Sequence, residues 1–377
     1  MTRHVALLLH LYQPPTQDPA VTARIDGECY TPLCGMLARS GARLTVNINY
    51  SLTEQLADLG SKVPALLSES SVEFCDSGAY HPILPLLPEE EVVRQLSLNG
   101  RGNSGLIQGW LPTGVFPPEM AYGPGLAGII AGAGYSWTIT DDVPWVHSGR
   151  PAPFDRILSV GGLRVFLRSN FWSNRIAFHG TDPALVATEL LQGLSGWSGG
   201  RDCYVVLALD GETFGHHRPG AVEGFLGPFL EAVGRAPEAR LSTLGELVDA
   251  FPPLEAEVPA GSWSTTPADM ERGVPWPLWD DPAVPDHAPL RRLTGEVLAW
   301  ARSCGGRDVA VLADRMLYSC PFWWASPGRY DAVQVRRGVS SALETAFAAF
   351  RESGDRKRLD GVMALAGAVP SMSGRGD

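Results

Sequence analysis

Apolar positions in this chain come in short blocks rather than in strict alternation. Seven such blocks precede residue 212: VALLLHL (5–11), RLTVNIN (43–49), SVEFCDS (71–77), GVFPPE (114–119), YSWTITD (135–141), LRVFLRS (163–169) and CYVVLAL (203–209). Runs of this kind predict strands buried on both faces, which belong to parallel sheets covered by helices. Between most of them lie SLTEQLADL, EEEVVRQLSLNG, PGLAGIIAGAG and DPALVATELLQGL, which have helical spacing or helix-favouring composition. Strand alternating with helix predicts a parallel sheet, and this many units predicts a closed or nearly closed barrel. Two more helical segments, AVEGFLGPFLEAVGRA and TLGELVDAF, follow before FPPLEAEVPAG breaks the pattern, so the barrel is expected to span 1–250. Residues 251–286, rich in Pro and Trp, read as an ordered connecting segment closing the cleft, with a helix start in TTPAD where Thr266 caps and Pro267 opens the first turn. The amphipathic pattern over 287–366 predicts a helical bundle, and 367–377 reads as a frayed, flexible tail.

Composition narrows the partners. The apolar share of 45% and charged share of 19% suit a chain with a large globular core. A formal charge of −11 argues against nucleic acid and anionic membranes, which are bound through clustered Lys and Arg. The opening MTRHVALLLHLYQPP has a signal-like apolar stretch, but His10 interrupts it and no small-residue cleavage site follows; it reads as a first strand. No segment approaches the roughly 20 apolar residues of a membrane span. Six cysteines without a CxxC pair suggest reduced thiols and a cytoplasmic location.

The chemistry collects where the predicted strands end. The first block ends in His10, Tyr12 and Gln13; the third leads to Asp76, Tyr80 and His81; others end in Glu119, in Asp141 and Asp142, in Arg168, and in Asp210 followed by Glu212. In a parallel barrel these ends share one face, where catalytic groups sit. Glu119 and Asp210, with aromatic neighbours Phe116 and Phe214, are the strongest pair, since two carboxyls flanking a sugar are the minimal machinery for breaking a glycosidic bond. The competing reading is that each carboxylate caps a helix or pairs with an arginine. Glu212 either orients Asp210 and holds a hydroxyl, or serves as a helix N-terminal charge. His216 and His217 lack the spacing of a metal motif. Trp263, Trp276 and Trp279 are candidates for sugar stacking, with core packing as the alternative for at least two of them.

These residues also carry a family resemblance. LLLHLYQPP, EFCDSGAYHPILPLLPEE, GVFPPEMAY, ALDGETFGHH and LSTLGELVDAF resemble, in order and spacing, the five motif regions of glycoside hydrolase family 57, and GSWSTT, PLWDD and SCPFWWAS extend the likeness to about residue 330. The resemblance implies an incomplete (β/α)7 barrel followed by a C-terminal helical bundle, and a configuration-retaining enzyme acting on alpha-1,4-glucans or maltooligosaccharides. It implies Glu119 as nucleophile and Asp210 as general acid/base. It further implies sugar contacts at His10 and Glu73, a partner of the acid at Glu212, and cleft-lining roles for Phe116, His217 and Trp263, with no metal and no organic cofactor. Tyr12 departs from the family's usual His, which removes a possible positive charge from the bond-breaking subsite, and Phe116 stands where many members carry Trp.

The expected function is therefore that of an alpha-amylase or a 4-alpha-glucanotransferase. Two rival readings are a metal-dependent polysaccharide deacetylase, which would need an HxxxH pair and an early aspartate, and a non-catalytic glucan-binding relative.

Overall fold

The strand β1 (Arg3–Leu11) organises the first part of the molecule. A computed structural model describes residues 1–372. Along one side β1 pairs in parallel with β8 (Cys203–Asp210) over its whole length; along the other it pairs with β2 (Thr45–Ile48) in its upper half and with β9 (Ala239–Ser242) in its lower half. The wall continues from β2 to β3 (Glu73–Cys75), and from β8 through β7 (Leu163–Arg168) and β5 (Trp137–Asp141) to β4 (Gly114–Val115). Two thin seams complete the ring. A single bridge joins Asp76 to Val115, with the Asp76 N–H donating to Gly114 O (2.8 Å) and the Phe116 N–H to Asp76 O (2.8 Å). A single pair joins β7 to β8, Arg168 opposite Val206. The result is a nearly closed parallel barrel of seven strands wrapped by helices.

Strand period two explains why the blocks read as continuously apolar. Val5, Leu7 and Leu9 of β1, Val46 and Ile48 of β2, and Val205 and Leu207 of β8 face the surrounding helices. Ala6 and Leu8, Cys75, Trp137 and Ile139, Phe166, and Tyr204, Val206 and Ala208 face the barrel interior. The helix Leu244–Ala250, closed at its start by a capping box between Thr243 and Glu246, adds Leu244 and Leu247 to that interior cluster. Gly114 is required by a close approach, because a Cβ there would lie 1.9 Å from the Trp137 ring.

Three strands were not anticipated. The strand β6 (Ile157–Val160) forms an antiparallel hairpin with β7 across Gly161 and Gly162, whose φ values of 58° and 91° suit a tight hairpin turn. Besides β9, the third is β10 (Pro253–Glu255), which extends the sheet beyond the boundary expected at 250. It is short and opens on Pro253 at the sheet edge, where a missing N–H is tolerated, so no apolar run announces it.

The chain divides into two compact units, the second comprising Pro14–Thr16, Tyr80–Ile83 and Ala268 onward. The helix expected to open at Pro267 forms over Pro267–Glu271. In the second unit the long helix Ala332–Ser353 packs on His287–Ser303 and Arg307–Arg315 through Val335, Val339, Ala342 and Ala346, spaced at helical intervals. Within the expected tail, Pro370–Met372 form a 3-10 turn in which Ser371 donates its N–H (3.0 Å) and hydroxyl (2.9 Å) to Asp286; residues 373–377 lie outside the described residues. No helix of the described residues is long and apolar enough to cross a membrane.

Gly114→Ala should overpack the barrel interior against Trp137 and cost about 1–3 kcal/mol, read as a lowered midpoint in thermal or urea denaturation; an unchanged midpoint would show that the two strands can separate without penalty.

Candidate active site

The inward-facing registers end in polar groups at the carboxyl-terminal mouth of the barrel. His10 continues the Ala6–Leu8 face of β1, and Asp210 continues the Val206–Ala208 face of β8; the two are paired in register. Asp141 follows Ile139 and Arg168 follows Phe166 in the same way. Arg168 is buried and its guanidinium is bound three times: Nη1 to Asp141 (2.7 Å), Nη2 to Asn174 (2.9 Å) and Nε to Ala208 O (2.9 Å). It acts as a fixed cation in the wall, 5.9 Å from the Trp263 ring.

Burial holds the His10 imidazole well below its ordinary pKa, at about 4, although a bond to Asn47 opposes the shift, so the ring is neutral at neutral pH. Its tautomer follows from the neighbours. Asn47 donates its amide hydrogens to Cys75 O (3.1 Å) and Asp76 O (3.3 Å), which turns its Oδ1 toward His10 Nδ1 at 2.7 Å. An amide oxygen only accepts, so Nδ1 carries the proton and Nε2 is the acceptor nitrogen. The ring stacks on the fully buried Phe116 (4.6 Å, 20°), lies near-parallel to Tyr12 (6.1 Å) and meets the edge of Trp263 (6.1 Å).

Glu119 sits on strained backbone. Its φ of 61° and the 51° of Met120 place two consecutive non-glycine residues in the left-handed region, at an order of 1–3 kcal/mol each. The turn is closed by the Met120 N–H on Pro117 O (2.7 Å) and the Ala121 N–H on Pro118 O (3.1 Å). Trp263 then grips Glu119 twice, its backbone N–H donating to Glu119 O (3.2 Å) and its indole Nε1–H to Glu119 Oε2 (2.7 Å). The carboxylate is thereby oriented while remaining partly exposed.

Asp210 and Glu212 share an electrostatic problem. Desolvation lifts the Asp210 carboxyl to about 6, with the Arg168 cation pulling it back down. Glu212 is raised to about 8, first by desolvation and then by the neighbouring Asp210 charge. The Tyr30 hydroxyl and the Tyr12 N–H (3.3 Å) both donate to Glu212 Oε1. Gln13 belongs to the same network, donating from Nε2 to the Tyr30 hydroxyl (2.9 Å) and accepting from Gln17 (2.9 Å).

The structure thus brings His10, Tyr12, Gln13, Phe116, Glu119, Arg168, Asp210, Glu212 and Trp263 into one linked set. Glu73 is not among them. It opens β3 at the opposite end of the barrel wall, where its carboxylate accepts from Thr45 Oγ1 (2.8 Å) and the Gly245 N–H (3.0 Å) and pins the start of helix Leu244–Ala250. Tyr80 and His81 fall in the second unit, His81 at φ 59° with Nδ1 on Ser319 Oγ (2.9 Å) and Tyr80 facing the Arg315 guanidinium (5.9 Å). Trp276 and Trp279 also fall there, Trp279 fully buried. His217 is exposed; its backbone N–H donates to Glu212 O (2.9 Å), and its ring lies 5.1 Å from that of His216, which pairs with Glu28 (2.9 Å). Two contributors escaped sequence reasoning. Asn47 ends a predicted strand and so was visible in principle; Tyr30 sits in a π-helical turn with no pattern to mark it. Among the described residues no group of three or more His, Cys, Asp or Glu is placed to hold a metal ion.

A parallel barrel whose mouth carries one clasped carboxyl and one buried carboxyl raised toward neutrality has the two groups that glycosidases use. The profile of Glycosyl hydrolase family 57 matches residues 32–259, more than half the chain, and the protein belongs to that family of glycosidase enzymes. Its sequence is 25% identical over 159 residues to Alpha-amylase 1 of Dictyoglomus thermophilum, covering 40% of this chain and 23% of that protein, so it spans under a quarter of that relative. The fold resembles the 4-alpha-glucanotransferase of Thermococcus litoralis (TM-score 0.76, 18% identity, 92% of this chain and 60% of that one). It also resembles a GH57-type branching enzyme of Pyrococcus horikoshii (TM-score 0.75, 16% identity, 99% and 97%).

Replacing Glu73 by Ala strands the Gly245 N–H and should cost about 1–3 kcal/mol of stability, read as a lowered thermal or urea midpoint; an unchanged midpoint would show that this carboxylate does not hold the helix start.

Proposed function

We propose that this protein is a retaining alpha-1,4-glucan-active enzyme, with Glu119 as nucleophile and Asp210 as general acid/base. The observation that carries the reading is the contrast between two carboxyls at one barrel mouth: Glu119, held by Trp263 in a strained turn, and Asp210, lifted to about 6 beside Glu212. In the first step a Glu119 oxygen forms a bond to the anomeric carbon, the glycosidic C–O bond breaks, and the Asp210 proton passes to the departing oxygen. In the second, water or a sugar hydroxyl gives its proton to the Asp210 carboxylate, attacks the same carbon and releases Glu119. Water as acceptor makes the enzyme an amylase, and a sugar hydroxyl makes it a glucanotransferase or branching enzyme. The appearance of chains longer than the starting maltooligosaccharide separates the outcomes.

The neighbours suit a sugar. The neutral His10 ring, with Phe116 and Trp263, supplies uncharged ring surface beside the two carboxyls. Tyr12 supplies no positive charge, so the subsite remains uncharged on that side. The buried thiols of Cys29, Cys34, Cys75 and Cys203 support a reducing, cytoplasmic setting.

Azide tests the two roles directly. With alpha-maltosyl fluoride as an activated substrate, Glu119→Ala plus azide should yield the beta-glycosyl azide, because azide enters the vacated face. Asp210→Ala should lose about 10²–10⁴-fold in kcat/KM on maltoheptaose and yield the alpha-glycosyl azide from the trapped intermediate. Wild-type turnover in both variants would sink the assignment. A second expectation concerns pH. Asp210 must be protonated to act as acid, and burial lifts its carboxyl to about 6, so activity falls as pH rises through that ionisation. Glu212 still holds its proton while Asp210 ionises, so Glu212→Gln keeps that neighbour uncharged and should leave the alkaline limb of kcat/KM in place; a limb displaced to lower pH would show that a Glu212 charge keeps Asp210 protonated and would contradict this order.

A further inference from the structure

A second cleft, of about 810 Å³, lies in the barrel unit away from the mouth, walled by the Arg150–Arg156 segment, the end of helix Pro183–Ser198 and the edge strand β10. Cys203, the first residue of β8, lines it, whereas Asp210 is the last residue of the same strand; a strand of that length separates them by about 23 Å. The cleft is therefore distinct from the catalytic mouth.

Its chemistry is specific. The Trp197 indole stacks on Phe154 (4.6 Å, 17°), so one face is backed by a second ring while the residue keeps 48% of its surface accessible. An aromatic plate supported from behind and open in front matches the apolar CH face of a pyranose. Around it stand hydrogen-bonding groups already held in place. Arg150 lies over the Trp145 ring (3.6 Å) and is fixed by Nε on Ser148 Oγ (2.8 Å) and Nη1 on Glu257 O (3.2 Å). Arg201 is paired with Asp155, and Glu255 accepts from the Ser159 hydroxyl. The carboxylates and guanidinia match ligand hydroxyls as acceptors and donors. Three arginines, Arg150, Arg156 and Arg201, stand against Asp155 and Glu255 around the cleft, and with Arg150 laid over the Trp145 ring and Arg201 paired to Asp155 this nearly balanced lining suits a neutral polyol.

We infer that this cleft is a second, non-catalytic binding site for an alpha-glucan chain, with Trp197 as its platform; the identity of the ligand rests on the alpha-glucan reading of the mouth. A long substrate held here keeps its remaining length at high effective concentration near the catalytic carboxyls, whereas a short one gains nothing.

The test compares wild type with Trp197→Ala, Trp197→Phe and the exposed Arg201→Ala, each with its thermal midpoint measured, using soluble amylose and maltotriose as substrates and retardation in amylose-containing native gels. Trp197→Ala should raise KM for amylose about 3–10-fold, the scale of one lost aromatic contact, leave maltotriose kinetics unchanged and reduce gel retardation, while Trp197→Phe retains most of the wild-type behaviour. Should Trp197→Ala fold poorly, Arg201→Ala carries the same comparison with a smaller expected rise. Identical amylose KM and retardation in folded variants would overturn the second site while leaving catalysis intact. Absence of amylose turnover in the wild type would overturn the catalytic reading and this inference with it.

Discussion

Trp263 holds Glu119 by two hydrogen bonds, one to its carbonyl and one to its carboxylate, across 144 residues of sequence. Two consecutive left-handed residues are unfavourable, and they persist only where the surroundings over-determine them. Here a proline pair precedes the turn, local N–H groups close it, and the indole fixes the side chain it presents. The same indole touches the His10 and Phe116 rings. One side chain thus couples the nucleophile candidate to two strands of the barrel, and the geometry of the mouth depends on that coupling.

Electrostatics distribute the roles among similar groups. Asp141 is bonded to Arg168, yet burial still raises its carboxyl and the cation only pulls it part of the way back. Asp210 meets the same guanidinium only through space and remains near the pKa of a usable acid. Glu212, desolvated and beside the Asp210 charge, holds its proton longest even though the Tyr30 hydroxyl, donating to its carboxylate, pulls the other way. The differences come from distance to one fixed cation and from burial, not from residue type.

The barrel also places two carbohydrate-compatible surfaces on one rigid frame. β8 runs from the second cleft to the mouth, so the spacing between them is set by strand rise rather than by a hinge. A flexible polymer can visit both; a small sugar cannot. This makes chain length, rather than linkage chemistry alone, a property the scaffold can discriminate.

Much of this was legible beforehand. The seven apolar blocks, their alternation with helices, and the polar groups at their ends are local patterns, and local patterns survive in the sequence because strand and helix period dictate them. The Gly161–Gly162 hairpin was equally local, though its signal lies in turn chemistry between two apolar runs. Glu73, Tyr80 and His81 show the opposite limit. Each stands in or beside a strand region that carries site residues, yet Glu73 lies at the wrong end of its strand and the other two pack with the helical unit. The sequence by itself determined the barrel, the order of its elements and the candidate carboxyls, since these follow from periodicity and chain direction. Only the tertiary structure decided which groups meet: that Trp263 grips Glu119, that Tyr30 bonds Glu212 and Asn47 bonds His10, and that Glu73 bonds instead at the start of helix Leu244–Ala250, because those relations depend on burial and through-space contact between residues far apart in the chain.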